Sequence, residues 1–208
     1  MLQVQKDLGY CYRNSLTKRC LDLAICIPAL IFLLPLFAMI YLGVKVSSRG
    51  PGFFCQQRYG RGLTKFSVIK FRTMYHDKAQ RKFAQATKRD PRITFVGKFL
   101  RHTSLDELPQ LINVLAGDMS IVGPRPHVIE MDDKAASQIP NFFARYDVRP
   151  GITGLAQISG QRGPTPTRKH LCARLSRDLD YTSNASLLLD IKIILQTPIA
   201  LFVGKNAF

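Results

Sequence analysis

Residues Leu23–Val44 read LAICIPALIFLLPLFAMIYLGV, an apolar run without a charged side chain and with prolines at 28 and 35. By length the run is sufficient to span a bilayer. A long polar lead precedes it and no small-residue cleavage site follows, so it does not have the form of a cleavable signal peptide. Arg13, Lys18 and Arg19 stand before it, and Lys45 and Arg49 after it. With both flanks basic, charge assigns no orientation to a straight crossing and is satisfied if both ends stay cytoplasmic. Pro28 and Pro35 lie seven residues apart, on roughly one helix face, and each removes a backbone hydrogen bond and favours a kink. A broken helix that enters and leaves on one side fits both features, and a transmembrane helix with two tolerated prolines fits them equally. Asp22, at the mouth of the run, is costly unless paired, and Lys18 or Arg19 lie within one helical turn.

The whole chain has 208 residues, 46% of them hydrophobic, and 30 Lys+Arg against 14 Asp+Glu give a formal charge of +16. That length accommodates one soluble domain with an appendage. Such a charge excess implies an anionic partner: nucleic acid, anionic lipid or a phosphorylated substrate. Nothing reads as a helix-turn-helix, a zinc finger or a stacking platform, so nucleic acid is not expected. The five cysteines, Cys11, Cys20, Cys26, Cys55 and Cys172, are scattered and odd in number, without a C-x-x-C pair. They suggest a reducing compartment rather than disulfides or a zinc site.

Downstream of the turn-rich Ser47–Gly52 connector, Phe53–Arg58 and Lys65–Met74 read as strands around a Gly60-Arg61-Gly62 turn. Alternation places Lys70 and Arg72 on one face and Ile69 and Phe71 on the other. The polar segment from His76 to Lys88 has helical propensity and carries no evident chemistry.

Thr103-Ser104-Leu105-Asp106-Glu107-Leu108-Pro109-Gln110 then sets two adjacent carboxylates before an apolar helical run through Leu115. Pro109 is tolerated only near a helix beginning, which places Asp106 at a helix N-terminus, where the macrodipole and open N–H groups favour anions. Ser104 and Glu107 also have capping-box spacing, the ordinary structural explanation for such a pair. Arg101 precedes Asp106 closely enough to share a phosphate site. Arg125, between Pro124 and Pro126, has a stiff backbone that reduces the entropy lost in presenting a guanidinium. Arg149-Pro150-Gly151-Ile152-Thr153-Gly154 is a second such element, whose glycines allow a ligand close to the backbone. Leu187–Val203 reads as an amphipathic helix on the membrane, with Asp190, Lys192 and Gln196 as its polar side; burial against the domain is the alternative.

Taken together, these motifs resemble the bacterial sugar transferase family, the monotopic polyprenyl-phosphate phosphoglycosyl transferases. The resemblance is carried by Lys18-Arg19-x-x-Asp22 before the proline-broken run, Lys70–Met74, Ser104–Gln110, Gly117-Asp118-Met119-Ser120-x-x-Gly123-Pro124-Arg125-Pro126 and Arg149–Gln157. It covers nearly everything from about residue 12 onward.

The resemblance implies transfer of a sugar 1-phosphate from a UDP-sugar to undecaprenyl phosphate, with release of UMP. It assigns Asp106 as nucleophile, forming an aspartyl-phosphosugar, and Glu107 as a second catalytic residue that helps hold Mg²⁺. Lys70, Arg101 and Arg125 match phosphate- or nucleotide-binding positions, Asp178 and Tyr181 a late D-x-x-Y element of the same site, and Arg149 a motif of less defined role. It also implies a re-entrant helix broken at Pro35 with Asp22 at its mouth.

The expected fold is α+β, mainly helical with a small hairpin or sheet and interfacial amphipathic helices. Residues 1–48 would form the membrane segment and residues 49–208 a catalytic domain on the cytoplasmic face of the bacterial inner membrane. This short form would lack the additional N-terminal membrane bundle of some relatives. Many family members carry Ser before the breaking proline where this chain has Leu34. Pro164 and Pro166 stand where hexose-phosphate transferases often have acidic residues after a turn like Gln161-Arg162-Gly163. The Gln157–Gly163 region nonetheless resembles transferases for UDP-hexoses such as glucose or galactose. Oligomeric state is not readable and a homodimer is compatible. A noncatalytic scaffold for polysaccharide assembly is the alternative function, disfavoured by the intact carboxylate pair.

Overall fold

The computed structural model describes residues 12–13, 15–76, 90–163 and 167–203, the last three as backbone only. Most of the segment from His76 to Lys88, together with Pro164 and Pro166, lies outside the described residues. Helix α1, Leu16–Ser47, is continuous and contains both prolines. Next come the strands β1, Phe53–Tyr59, and β2, Lys65–Phe71, then helix α2, Phe95–Thr103, a 3-10 turn at Leu105–Glu107 and helix α3, Gln110–Ala116. Strand β3, Ser120–Val122, helix α4, Ile129–Ala136, and a 3-10 segment at Phe142–Asp147 lead to strand β4, Gly151–Thr153. Three helices finish the described chain: α5, Leu155–Ile158; α6, Arg168–Asn184; and α7, Leu187–Val203.

The α+β character, mainly helical with small sheets, agrees with the sequence expectation. β1 and β2 form the anticipated antiparallel hairpin, with Phe53 opposite Phe71 and Tyr59 opposite Lys65. The parallel pair β3 and β4 was not anticipated. Gly151 has a close-packing role there. A Cβ on Gly151 would lie 2.1 Å from the Gly123 nitrogen, so the glycines of this element admit each other's backbone.

α1 is the chain's one long apolar helix among the described residues, with a mean hydropathy of 2.7 over its candidate span and little of that span buried. One stripe of it packs inward along the whole length, through Lys18, Asp22, Cys26, Ile40 and Val44. The first half joins the main core with Phe66, Val114, Met119 and Ile193, and the second half packs with Phe71 and Leu100. The opposite side exposes Ile31, Phe32, Leu34 and Leu42, with Phe32 87% accessible. Both prolines lie on that exposed side.

Both ends of α1 are tied to the same body. Asp22 Oδ1 accepts from Ser120 Oγ at 2.8 Å and from Ile121 N at 3.0 Å, and Lys18 Nζ approaches it at 3.5 Å. Lys18 therefore supplies the expected partner of Asp22 and also meets Asp190 Oδ2 at 2.6 Å. Arg19 instead donates to the carbonyls of Val114 and Leu115 at the end of α3, where cations suit the macrodipole. At the other end, Arg72 Nη2 donates to the Ser48 carbonyl and hydroxyl at 2.7 and 2.9 Å. Arg72 thus secures the α1 C-terminus and does not join Lys70 at an anion-binding face.

α7 departs from the expected amphipathic pattern. Two residues advance about 200° around a helix, so Asp190 faces away from Lys192. Asp190 is fully buried, accepting from Tyr12 at 2.9 Å and Tyr181 at 2.8 Å, while Lys192 and Gln196 are exposed beside Leu188 and Leu195.

Candidate active site

Helix α2 ends on Ser104, a non-glycine residue in the left-handed region with φ 60°. The chain then turns through Leu105–Glu107 and passes Pro109 before α3 begins at Gln110. Asp106 is accordingly in a 3-10 turn just upstream of the helix, not in its first turn. Pro109, which has no N–H to donate, takes the N-cap position, and the regular helix starts at the next residue. The expected capping box is also absent: Ser104 makes no side-chain cap, and its hydroxyl accepts from Arg162 Nη2 at 2.6 Å. Leu105 and Leu108 pack into the cluster formed by Ile40, Val44, Phe71 and Leu100. The carboxylate turn is thereby anchored on the second half of the membrane-type helix.

Asn113 orients the facing strand. Its side chain accepts from Ile69 N at 3.0 Å and donates to Ser67 O at 2.8 Å, docking α3 along the free edge of β2. Lys70, the next residue, donates to Glu107 Oε1 at 2.8 Å. From the other side Arg125 Nη1 donates to Glu107 Oε2 at 2.8 Å, and its Nη2 pairs with Oε1. Burial alone would raise the Glu107 carboxyl, yet the Arg125 and Lys70 charges overcome burial and hold it well below the usual carboxylate range.

Asp106 is in a different state. It is 9% accessible, and no hydrogen bond or ion pair engages its carboxylate among the described residues. Burial and the adjacent Glu107 charge push it up from 3.8 to about 6, against the pull of Lys70, Arg101 and Arg125. Arg101 is held by a 2.8 Å bond from its Nε to Thr73 Oγ1. The site consists of one unpaired carboxylate, pushed up toward protonation, beside one that two cations hold in the ionised direction.

A buried network sets the position of Arg125. Arg145 Nη2 donates to the Arg125 carbonyl at 2.7 Å and pairs with Asp178 Oδ2 at 2.7 Å. His127 lies 3.1 Å from Asp132 and 2.9 Å from Arg145, and burial beside Arg145 pushes it down to about 3, so it is neutral. Arg174 reaches His127 Nε2 at 3.2 Å and donates to the Gly163 carbonyl.

Of the residues picked from sequence, Lys70, Arg101, Arg125, Asp106 and Glu107 come together. Asp178 stands behind Arg125 and acts on it through Arg145. Tyr181 is not at the carboxylates: it donates to Val122 O and to Asp190 in the hub that holds α1. Arg149 is also elsewhere, with Nε on Gly117 O at 2.9 Å and Arg61 and Arg19 as neighbouring charges. Arg162, Arg145 and Arg174 escaped selection, because a lone arginine in a turn or helix gives no local signal of what it meets.

The family resemblance implies a divalent cation at the carboxylate pair. The hard oxygens of Asp106 are open and suit one, whereas Glu107 can join only by releasing Lys70 or Arg125. No group of three acidic, His or Cys side chains suited to a metal occurs among the described residues, so bound phosphate and water would have to complete the coordination.

An unpaired carboxylate with Lys and Arg around it, in a turn packed against the long apolar helix, has the parts that phosphoryl transfer uses. The family profile described as bacterial sugar transferase matches residues 13–204, and the chain belongs to that family. It is 45% identical over 194 residues to a UDP-glucose:undecaprenyl-phosphate glucose-1-phosphate transferase of Caulobacter vibrioides, covering 93% of this chain and 73% of the relative. The Escherichia coli protein of the same name is 46% identical over 94% of this chain, which spans only 42% of that relative's length. Exopolysaccharide production protein PSS of Rhizobium leguminosarum is 42% identical over 92% of this chain and 98% of its own length.

Proposed function

We propose that this sugar transferase moves glucose 1-phosphate from UDP-glucose to undecaprenyl phosphate, releasing UMP, as the first membrane step of exopolysaccharide or related glycan assembly. The observation that carries the chemistry is the contrast between Asp106, open and unpaired, and Glu107, held by Lys70 and Arg125. An Asp106 oxygen attacks the sugar-linked phosphorus. The bond from that phosphorus to the UMP oxygen breaks, UMP leaves, and an aspartyl-phosphoglucose remains. An oxygen of undecaprenyl phosphate then attacks the same phosphorus, the Asp106–phosphorus bond breaks, and the carboxylate is restored. Lys70, Arg101 and Arg125 orient the phosphates and offset their charge. Mg²⁺, which Glu107 would help hold on exchanging one of its cationic partners, would supply further charge neutralisation.

The sugar assignment rests on relatives named as UDP-glucose enzymes. A relative at 36% identity is named for N-acetylgalactosamine, so that sugar belongs in the test panel. The membrane geometry rests on α1. A 32-residue helix is about 48 Å long, yet its two ends grip one domain, through Asp22 and through Val44 and Ser48. A straight crossing would separate those ends by a bilayer. Tethering of both ends to one domain supports a helix that enters the inner membrane from the cytoplasmic face without crossing it, and Pro28 and Pro35 stand on its exposed side, where a missing backbone hydrogen bond favours bending.

The test is nucleotide release by the purified protein with undecaprenyl phosphate, Mg²⁺ and a panel of UDP-glucose, UDP-galactose and N-acetylated UDP-sugars. UMP from UDP-glucose, absent with Asp106→Asn, supports the proposal. UDP as the product contradicts it, and no release from any donor favours the noncatalytic scaffold.

A further inference from the structure

Four cationic side chains surround the carboxylate turn: Lys70, Arg101, Arg125 and Arg162. Two carboxylates, Asp106 and Glu107, face them. Glu107 takes up Lys70 and Arg125 directly. Arg162 has no carboxylate within ion-pair distance among the described residues. Its hydrogen-bond partner is a neutral hydroxyl, Ser104 Oγ, at 2.6 Å. That hydroxyl belongs to the left-handed residue two positions before Asp106, so the guanidinium is poised at the mouth of the nucleophile's turn. Burial disfavours its charge, an unfavourable state that an incoming anion relieves.

The loop bearing Arg162 is tied down from behind. Arg174, on α6, donates to the carbonyl of Gly163 and also meets His127, two residues beyond Arg125. One buried arginine therefore sets the distance between the Arg162 loop and the Pro124-Arg125-Pro126 turn, the two elements that flank the carboxylates.

We propose that Arg162 is a further donor-binding residue, exchanging the Ser104 hydroxyl for the diphosphate of the nucleotide sugar, and that Arg174 is the residue that positions it. This rests on the UDP-sugar reading above. A guanidinium can hold two phosphate oxygens at once, which a hydroxyl partner does not use.

The experiment is equilibrium binding of UDP, UMP and uridine to the full chain in detergent, without acceptor lipid, for wild type, Arg162→Gln, Arg162→Lys, Ser104→Gly and Arg174→Gln. Loss of a charge-assisted phosphate contact weakens binding about tenfold to a hundredfold. The expected result is that loss for UDP in Arg162→Gln, little change for UMP or uridine, partial recovery in Arg162→Lys and an intermediate loss in Arg174→Gln. Ser104→Gly keeps UDP affinity, because the hydroxyl is only the resting partner. Equal losses for UDP and UMP, or a Ser104→Gly variant that behaves like Arg162→Gln, overturn the proposal by making Arg162 a structural brace. Unchanged UDP binding in Arg162→Gln overturns it alone, whereas a wild type that binds neither UDP nor UMP removes the nucleotide-sugar reading along with it.

Discussion

Replacing Asp106 by Asn should abolish transfer and at the same time stabilise the fold. In the folded chain burial and the Glu107 charge raise the Asp106 carboxyl from 3.8 to about 6. The folded state therefore binds this proton more tightly than the unfolded state does. Its stabilising contribution is complete below about 3.8 and is lost as pH rises through about 6. Each pH unit of displacement corresponds to about 1.4 kcal/mol, so ionised Asp106 costs the wild type about 3 kcal/mol at pH 7.5 and little at pH 4. Asn carries no such charge. For a chain of this size 3 kcal/mol corresponds to about 6–12 °C in melting temperature. Thermal unfolding in detergent with EDTA, followed by tyrosine fluorescence at both pH values, reads the effect. Asp106→Asn should melt well above wild type at pH 7.5 and close to it at pH 4. Equal melting at pH 7.5, or a less stable mutant, would refute the account of a strained, unpaired nucleophile.

Other perturbations follow from the same geometry. Glu107→Gln leaves Lys70 and Arg125 facing each other without their anion; it should cost about 2–4 kcal/mol in denaturant titrations and eliminate UMP release. Lys18→Met strands Asp22 and Asp190, which are 1% and 0% accessible; an expected loss of about 3–5 kcal/mol should be partly recovered when both become Asn. At Gly97 a Cβ would lie 2.0 Å from the Thr73 carbonyl, so Gly97→Ala should destabilise by about 1–3 kcal/mol in thermal melts. Initial rates at low Mg²⁺ should fall as pH drops through about 6, because protonated Asp106 is no nucleophile.

Local signals in the sequence were sufficient for the apolar helix, the β1–β2 hairpin and the Lys18–Asp22 pair, since each involves neighbours in sequence or a clear period. Lys70, Arg125 and the carboxylates were legible as motifs, although not the way Glu107 consumes both cations. Non-local geometry was hidden. β3 and β4 are three-residue strands separated by a long excursion, too short for a period to register. Ser104 was read as a helix cap, whereas the real chain break at Pro109 leaves it in a left-handed turn available to Arg162. Tyr181 and Asp190 carry the signature of site or surface residues, yet they serve a buried hub with Lys18 that holds the membrane helix in place. Such a hub forms only when α1 meets the consecutive helices α6 and α7 from the other end of the chain, and no single segment announces it.

The central claim is covalent catalysis by Asp106. Its most direct test is to incubate purified wild type and Asp106→Asn with UDP-glucose labelled in the sugar-linked phosphate, without acceptor lipid, and to measure label on the protein. The account predicts protein-bound label in wild type, with UMP formed in step, discharged by undecaprenyl phosphate and absent from Asp106→Asn. Full transfer to undecaprenyl phosphate with no protein-bound label at any time would contradict it and assign the reaction to direct displacement.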